Sequence, residues 1–391
     1  MLSGARVIEW GNTISAAYCG RLLRDAGAQV EKVEPPQGDA MRRHGPFRQD
    51  RENPEASGMF AYLNSGKDNC CLDPADADAE ELHARLQHAD VFVTSYPLTM
   101  RRQLGLDAAA VRARHPHLIY VSISVFGDSG PLSQVPAQAI DAYAASGVAW
   151  VIGEPGRVPL LVPGQQADYQ AGAHAAAATL SSLVYSRRTR DGKARPGNTI
   201  DIAAADVMAV AVGTNAQVYL FHGDERWERA GRRAFGSGGA YPYVILPCKD
   251  GHVCLLGRAR HEWDRLMDAM GNPPWSKEPR YNDLHVMGKE YPEEVDELIK
   301  PWLATRTRSE LLDIAQAKGF PLAPLRTMQE VVASEQFRFR GYFQELPTPD
   351  GGTVVVPGSP WKIVGERSVA PVGAPGLPSR VHGSAQRGAT A

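Results

Sequence analysis

The stretches Arg6-Val7-Ile8-Glu9-Trp10 and Ala28-Gln29-Val30-Glu31-Lys32-Val33-Glu34, together with the residues between them, decide the fold class of this chain. Both stretches have the length and composition of short strands. Residues 14–26 carry apolar side chains at helical spacing, and Gly27 follows where helices commonly end. The three pieces predict a βαβ unit of about 35 residues, a motif whose two strands run parallel.

The same alternation continues along the first half of the chain. Residues 90–94 and 118–122 are apolar runs with the length of a buried strand, and residues 80–88 and 107–114 are helical in pattern. Alternating strands and helices predict an α/β domain with a Rossmann-like, mostly parallel sheet. Such sheets bind ligands at the carboxyl ends of their strands. A further strand at 198–202 and a helix reaching Tyr219 are predicted after these.

The composition changes after residue 222. Residues 223–239 are rich in charge and glycine, which is typical of a linker. Residues 240–257 predict a hairpin around Lys249-Asp250-Gly251, and helical patterns follow at 261–270, 292–304 and 309–318. The predicted domains are a large Rossmann-like domain at 1–222, a linker and glycine loop at 223–239, a smaller α+β domain at 240–325, a return to the large domain at 326–365 and an extended or disordered tail at 366–391.

Charge and cysteine content exclude several classes of function. The 391 residues carry a formal net charge of −2, so no basic surface for nucleic acid is expected. Five cysteines without a Cys-x-x-Cys pair predict neither a disulfide framework nor a zinc site. His115 and His117 could be metal ligands, but no third ligand lies near them in sequence, so no metal is expected. With no signal segment and no long apolar run, we expect a cytoplasmic protein without membrane contact.

Common cofactor and hydrolase motifs are also missing. The first βα turn, Trp10-Gly11-Asn12-Thr13-Ile14-Ser15, has one glycine where the dinucleotide fingerprint needs three, so NAD or FAD is not expected. The chain contains neither a P-loop nor a Gly-x-Ser-x-Gly motif. No bound cofactor is therefore predicted.

Asp168 is the main candidate for chemistry. It lies in Ala167-Asp168-Tyr169-Gln170-Ala171-Gly172, at the predicted start of a helix built from alanine and other small residues, which lets a neighbouring helix approach closely. Its carboxylate could be simply the N-cap of that helix. It could also be a nucleophile, because the helix dipole favours the ionised form that a nucleophile needs. The two interpretations are compatible.

The run Gly236-Ser237-Gly238-Gly239 has two interpretations as well. Three glycines in four residues are tolerated in a plain linker. They are also found where a loop must lie against a reacting group or close over it.

Taken together, the sequence resembles the family III CoA-transferases. The strings that carry the resemblance are spread over about residues 5–365. They are 6–10, 22–34, Leu63-Asn64-Ser65-Gly66-Lys67, Leu72-Asp73, 89–93, Leu104-Gly105-Leu106, 116–127, Ser146-Gly147, Ala167-Asp168-Tyr169-x-x-Gly172 and Asp250-Gly251.

The resemblance implies that Asp168 is the catalytic nucleophile. It would attack the thioester of an acyl-CoA, form an aspartyl-acyl anhydride, and then carry CoA as an aspartyl thioester to a carboxylic acid. Gly236, Gly238 and Gly239 would belong to a glycine loop that excludes water from these intermediates. The partners implied are acyl-CoA as co-substrate, small carboxylic acids, and a second copy of the chain in an interlocked homodimer.

The resemblance also implies which residues contact CoA. They are Asn12, Ile14 and Ser15 in the first βα turn, Lys67, Ser95, Tyr96, Arg101, Arg102, Ala137 and Gln138. The chain departs from the family pattern at Gln103, where an arginine is usual, and near Ala139, where a tyrosine or aspartate is usual. The helix that ends other members is replaced here by a tail rich in proline and glycine.

Two alternatives remain open at this point. An α-methylacyl-CoA racemase shares the aspartate but needs a histidine near position 138, and an amide such as Gln138 cannot move a proton. A non-catalytic, CoA-binding partner subunit of a heteromeric transferase would not need Asp168 to be retained. The sequence does not name the donor or the acceptor acid.

Overall fold

The fold is described here from a computed structural model. It covers residues 1–47, 50–74, 78–187, 196–223, 229, 231–233, 239–257, 259–348, 352–365 and 372–378. The chain divides into two compact units. The first contains Met1–Val148, Leu161–Val212 and Glu335–Ala391, and the second contains Ala149–Leu160 and Gly213–Ser334. The domain boundaries predicted from composition stay predictions.

A six-stranded, wholly parallel sheet forms the centre of the first unit. Its strands are β1 (Arg6–Trp10), β2 (Gln29–Glu34), β3 (Asp68–Cys71), β4 (Val91–Thr94), β5 (Ile119–Ser124) and β6 (Thr199–Ala203). Their order across the sheet is β3-β2-β1-β4-β5-β6, so the direction of winding reverses between β1 and β4. This is the Rossmann order, and the predicted fold class is confirmed.

Helices flank this sheet along the chain. They are α1 (Ile14–Asp25), α2 (Gly58–Asn64), α3 (Ala79–Leu86), α4 (Leu98–Gln103), α5 (Ala108–Arg114), α6 (Ala139–Ala145), α8 (Gln166–Arg187) and α9 (Ala204–Ala211). Helix α7 (Val148–Val151) begins at the last residue of a first-unit segment, and its other residues belong to the second unit. The first helix begins where Thr13 caps it, since the Thr13 hydroxyl accepts a bond from the Ala16 N–H at 3.3 Å. It ends before Gly27, whose φ of +101° is a conformation that favours glycine.

Close packing of α8 against α1 depends on small side chains. Ala167, Ala171 and Ala175 on α8 are fully buried. A Cβ atom added to Gly172 would lie 2.5 Å from the Ser15 carbonyl oxygen of α1, which is closer than atoms can approach. The alanine-rich sequence therefore brings the start of α8 directly against the β1–α1 turn, as the small residues predict.

The second unit contains a three-stranded antiparallel sheet and several helices. Its strands are β7 (Tyr243–Cys248), β8 (Gly251–Leu256) and β9 (Leu322–Pro324), in the order β7-β8-β9. Its helices are α10 (Gly213–His222), α11 (Arg260–Ala269), α12 (Leu284–Glu290), α13 (Pro292–Ala304), α14 (Arg308–Lys318) and α15 (Met328–Val332). The hairpin predicted around Asp250 is present, whereas α12 was not predicted. The helix predicted to reach Tyr219 is two helices, because α9 ends at Ala211 with Val212 as its C-cap.

The last elements belong to the first unit. They are α16 (Glu335–Phe339) and the hairpin of β10 (Phe343–Pro347) and β11 (Thr353–Pro357). Residues 372–378 are extended, and Arg42 donates to the carbonyl oxygens of Pro375 and Gly376 at 3.1 and 2.9 Å. The Gly66 N–H donates to the Gly373 carbonyl at 3.0 Å, so this part of the tail is held against the unit.

Across the residues described, no helix is both long and apolar enough to cross a membrane.

Candidate active site

A cavity of about 370 Å³ lies in the first unit, where the winding of the sheet reverses. Thr13 and Ser15 of the β1–α1 turn line it, together with residues 95–99 after β4. Residues 123–128 at the end of β5, residues 132–139, Ala167, Asp168 and Ala204 complete the lining. The crevice outside the carboxyl ends of the strands at such a reversal is where sheets of this order bind ligands. The cavity is therefore the first place to look for a site.

Asp168 is the third residue of α8, not its N-cap. The N-cap interpretation is therefore wrong: an N-cap at Asp168 requires a helix that begins at Tyr169, and this helix begins at Gln166. The Tyr143 hydroxyl takes over part of that role, because it accepts a bond from the Ala167 N–H at 3.0 Å and donates to the Gly164 carbonyl at 3.4 Å. The carboxylate of Asp168 is thus not needed to satisfy these backbone groups.

The surroundings of Asp168 leave its carboxyl group with a hydroxyl partner and no cation. Ser15 lies with Asp168 in the cavity lining, and the Ser15 hydroxyl lies 2.8 Å from that of Thr13. In the described part of the chain, no ion pair involves Asp168. Burial raises the pKa of Asp168 above its ordinary value, and the bond from Ser15 acts in the opposite direction. Burial is thus the larger of these two influences on the pKa of Asp168.

Five of the predicted CoA contacts line the same cavity as Asp168. They are Ser15, Ser95, Tyr96, Ala137 and Gln138. The Ser95 hydroxyl accepts a bond from the Asn12 N–H at 3.3 Å and so joins the loops after β1 and β4. Asn12 itself is exposed and outside the lining, and Ile14 packs into a cluster with Ala17, Met41 and Phe60.

Lys67, a predicted CoA contact, is held within the fold. It is buried, and its ammonium group lies 2.6 Å from Glu9 Oε2. It also donates to the Ala17 carbonyl at 2.8 Å and to Asn64 Oδ1 at 2.9 Å. An ammonium group has three donors, and all three of Lys67 are occupied within the core. The ammonium group of Lys67 is thus used within the core, and its role as a CoA contact stays a prediction.

Arg101, another predicted CoA contact, is also held within the fold. Its guanidinium group is buried and donates to Asp128 Oδ2 at 2.8 Å, to the Tyr120 hydroxyl at 2.9 Å and to the Tyr96 carbonyl at 2.8 Å. These bonds hold the segment after β4 and fix Asp128 at the cavity wall. Arg102, the next residue of α4, is exposed and lies outside the cavity lining.

Comparison with known proteins now decides the family. The model of CoA-transferase family III matches residues 2–379, which is nearly the whole chain. The chain belongs to CoA-transferase family III.

Similar family members have been characterised in other organisms. The succinate–glutarate CoA-transferase of Agrobacterium fabrum is 28% identical over 367 residues, which cover 91% of this chain and 87% of that protein. The BbsE subunit of the succinyl-CoA:(R)-benzylsuccinate CoA-transferase of Thauera aromatica is also 28% identical, over 88% of this chain and 84% of that protein. The crystal structure of a CAIB/BAIF family protein from Brucella suis superposes with a TM-score of 0.83 at 26% identity, covering 96% of each chain. The chain is therefore an enzyme of the CoA-transferase type.

Family III membership leaves the glycine loop untested. Gly236 and Gly238 lie outside the described residues. Gly239 is described, in the second unit, with a φ of +78°. The role of this loop as a lid stays a prediction.

Two residues at this cavity were missed in the sequence. Asp128 lines the cavity, and Tyr143 holds the start of α8. Asp128 could have been found, because it follows a predicted strand at the carboxyl edge where ligands bind. Tyr143 gives no local signal, since its partner lies 24 residues further along the chain.

The histidines weighed as metal ligands have another arrangement. His115 is buried, with its Nε2 atom 3.2 Å from Nδ1 of His83, and burial lowers the pKa of His115 to about 4. His117 lies near them, with its ring centre 6.2 Å from that of His115. Over the described ranges, no group of three or more histidine, cysteine or acidic side chains is arranged to hold a metal ion.

Proposed function

We propose that the enzyme moves CoA from an acyl-CoA donor to a carboxylic acid acceptor, with Asp168 as the covalent nucleophile. One observation carries the proposal. The carboxyl group of Asp168 lines the cavity at the winding reversal of this family III chain, and among the described residues it has a hydroxyl partner and no cation.

The chemistry needs a carboxylate rather than a hydroxyl or thiol. In the first step a carboxylate oxygen of Asp168 attacks the thioester carbon, and the C–S bond breaks to give an aspartyl-acyl anhydride and the CoA thiolate. The thiolate attacks the aspartyl carbonyl, which releases the donor acid and forms an aspartyl-CoA thioester. The acceptor carboxylate then reverses both steps. A serine or cysteine nucleophile would retain the acyl group, and CoA itself could not be passed on.

The surroundings of Asp168 suit this role. A carboxylate paired with arginine or lysine would be stabilised in its resting state and would attack more slowly. In the part of the chain that the structure describes, Asp168 has the Ser15 hydroxyl and no cation as its partner. Burial also limits access of water, which would hydrolyse the anhydride and the thioester. No bound cofactor is proposed, and CoA acts as co-substrate.

The acid is proposed only as a class. The relatives named above carry succinate, glutarate or benzylsuccinate in their names, and an acetyl-CoA:oxalate CoA-transferase of Acetobacter aceti is 27% identical to this chain. Donors and acceptors therefore differ among related chains. A screen of acyl-CoA donors against carboxylic acids, followed by mass spectrometry of the CoA products, would identify the pair.

Trapping the aspartyl thioester tests the mechanism. Hydroxylamine added during turnover should release CoA and leave a hydroxamate on Asp168, which peptide mass spectrometry can locate. The adduct should require acyl-CoA and be absent from the Asp168→Asn variant. A transferase that turns over under these conditions with Asp168 unmodified would contradict the covalent route.

A racemase remains a competing function, and Gln138 argues against it. Gln138 lines the cavity that contains Asp168, at the position where the racemase reaction needs a proton-transferring histidine. A chiral 2-methylacyl-CoA incubated in D₂O separates the two. A racemase would introduce deuterium at the α-carbon, and a transferase would not.

The quaternary structure is proposed to be an interlocked homodimer. The consecutive residues Tyr219, Leu220 and Phe221 of α10 are exposed, which is unusual for large apolar side chains on a monomer. The alternative is a heteromer, and the BbsE relative is itself named as a subunit. Sedimentation of the pure chain at twice its mass, without subunit exchange between two tagged preparations, would support the interlocked dimer. Activity that appears only after addition of a second, different chain would contradict it.

The cytoplasmic location stays a prediction.

A further inference from the structure

A group of buried charges lies beneath the β1–α1 turn, and the proposed mechanism does not use it. We call Glu9, Lys32 and Lys67 the buried charge cluster. Glu9 is 0% exposed, and its two carboxylate oxygens each bind one ammonium group: Oε1 lies 2.8 Å from Lys32 and Oε2 lies 2.6 Å from Lys67. Removing three charges from water is costly, and buried ion pairs are weak evidence for stability. A role beyond stability is therefore worth seeking.

The remaining bonds of the two lysines point to that role. Besides Glu9, Lys32 binds Asp39 at 2.8 Å and the Gly11 carbonyl at 3.1 Å. Lys67 binds Asn64 and, at 2.8 Å, the Ala17 carbonyl. Each ammonium group thus directs one of its three donors to a main-chain oxygen near the start of α1.

These two carbonyl groups bracket the turn that lines the Asp168 cavity. Residues 12–16 lie between Gly11 and Ala17, and they include Thr13 and Ser15. The helix is also seated directly on the cluster: a Cβ atom added to Gly20 would lie 2.0 Å from Glu9 Oε2. The main chain on both sides of Ser15 is therefore fixed by the cluster.

We propose that the buried charge cluster is a positioning device for Asp168: by holding the carbonyl groups of Gly11 and Ala17, it keeps the Ser15 hydroxyl against the Asp168 carboxyl group. Glu9, Lys32 and Lys67 are positioning residues, since they act on the reacting carboxylate only through Ser15. The inference rests on the proposed function of Asp168.

The variants isolate this role. Lys67→Met removes the bond to Ala17, and Arg21→Met is the matched control, because Arg21 is a buried cation on α1 whose bonds run to Tyr62, Ser65 and Asp25 instead of the turn. Lys67→Met leaves one carboxylate oxygen of Glu9 without its cation, which can destabilise the fold. The double variant Glu9→Gln/Lys67→Met removes one charge of each sign, so that this unpaired charge does not arise. Ser15→Ala breaks the link at its other end.

Two readouts are used on each folded variant. Steady-state kinetics give kcat and KM for acyl-CoA. Titration of the Asp168 carboxyl carbon by NMR, with ¹³C-labelled aspartate and assignment by Asp168→Asn, follows its pKa without turnover. Other ionisable groups near Asp168 are Asp128 and Tyr96 in the cavity lining and Tyr169 on α8, and none of them is changed by these variants.

We expect Lys67→Met, alone or with Glu9→Gln, to raise the pKa of Asp168 as much as Ser15→Ala does. Lys67→Met combined with Ser15→Ala should raise this pKa no further than either change alone. We also expect kcat to fall about 10- to 100-fold with KM changed less than about threefold, because small misplacements of a reacting group have effects of this size. Arg21→Met should change neither. Equal shifts in the Lys67 and Arg21 variants, or additive effects of the Lys67 and Ser15 changes, would overturn the proposal. If the enzyme lacks CoA-transferase activity, the proposed function fails, but the titration still shows whether the cluster acts on Asp168.

Discussion

Two carboxylates of the first unit, those of Glu9 and Asp168, lie on opposite sides of the β1–α1 turn and have opposite surroundings. Glu9 is fully buried, and each of its oxygens binds a lysine. Asp168 is half-buried and has the Ser15 hydroxyl as its partner. The first arrangement satisfies the charge completely. The second leaves lone pairs of the carboxylate available for a reaction.

Pairing with lysines lets the Glu9 carboxylate support the fold, whereas the Asp168 carboxylate, which has no such partner among the described residues, is suited to chemistry. Around Glu9, burial lowers the pKa of Lys67 and the charge of Glu9 opposes this change, which leaves the pKa at about 8. Around Asp168 no cation opposes the effect of burial, and the pKa is raised. Groups with such perturbed, uncompensated surroundings are typical of functional sites.

The largest expected effect is the loss of CoA transfer when the Asp168 carboxylate is removed. Asp168→Ala should reduce kcat for CoA transfer by about 10⁴-fold or more, as removal of a covalent nucleophile does. Calorimetry should show CoA affinity within about threefold of the wild type and a cooperative unfolding transition. Transfer at the wild-type rate would remove Asp168 from the mechanism.

The second effect concerns the fold. Glu9→Ala leaves two lysines buried without their shared partner, and loss of one side of a buried ion pair costs about 3–5 kcal/mol. Urea unfolding followed by circular dichroism should show this loss. The matched control is Glu80→Ala, which breaks a 2.7 Å ion pair with Arg114 at the surface and should leave the midpoint unchanged. Equal midpoints for the two variants would mean that the buried charge cluster does not support the fold.

The third effect concerns the contact between α8, which carries Asp168, and α1, which carries Ser15. Gly172→Ala places a Cβ atom 2.5 Å from the Ser15 carbonyl oxygen, so α8 must move away from α1. Overpacking of this kind costs about 1–3 kcal/mol, and the same movement should weaken the bond between Ser15 and Asp168. Ala171→Gly, at a neighbouring buried position of α8, is the control for a change of helix propensity. If Gly172→Ala kept full stability and activity, the close approach of the two helices would not matter.

The fourth effect is a change of pH dependence. Transfer requires ionised Asp168, and a raised pKa means that the proton is held to a higher pH. The acid limb of kcat/KM should therefore lie above 3.8, the ordinary value for aspartate, and Ser15→Ala should move it higher, since the Ser15 bond lowers this pKa. Rates measured across a pH series in constant ionic strength test both statements. A limb that moves lower in Ser15→Ala would contradict the assigned contact.

The smallest effect is a gain in stability. A carboxyl group whose pKa is higher in the folded state favours folding when protonated, so its ionised form at neutral pH opposes folding. Asp168→Asn cannot ionise, and its Tm at pH 7 should exceed that of the wild type by about 1–2 °C. The difference should shrink as the pH falls and the wild-type group becomes protonated. A lower Tm for the variant at pH 7 would show that the charge of Asp168 is stabilised rather than left uncompensated.

The sequence predicted the parts of this molecule that depend on local pattern. The βαβ start, the hairpin around Asp250 and the close approach permitted by the alanines of α8 follow from periodicity, turn residues and side-chain size. The position of Asp168 at the helix start was also correct to within two residues.

What the sequence could not predict depends on distant partners. Lys67 lies in a polar turn, which predicts an exposed side chain. It is buried, because its ammonium group donates a hydrogen bond to Glu9, which lies 58 residues away in sequence. The basic helix around Arg101 predicts an exposed side chain. Arg101 is buried, because its guanidinium group donates hydrogen bonds to Asp128 and Tyr120. Capping of α8 by Tyr143 is equally non-local. In each case a tertiary pair overrides the local signal.

The buried charge cluster also bears on how this active site can change over generations. Its lysines hold carbonyl oxygens of Gly11 and Ala17, groups that every amino acid carries, and not the side chains between them. Substitutions at Asn12, whose side chain is exposed, can therefore accumulate without loss of the main-chain path that brings Ser15 to Asp168. A library randomised at that position should keep this main-chain path in place.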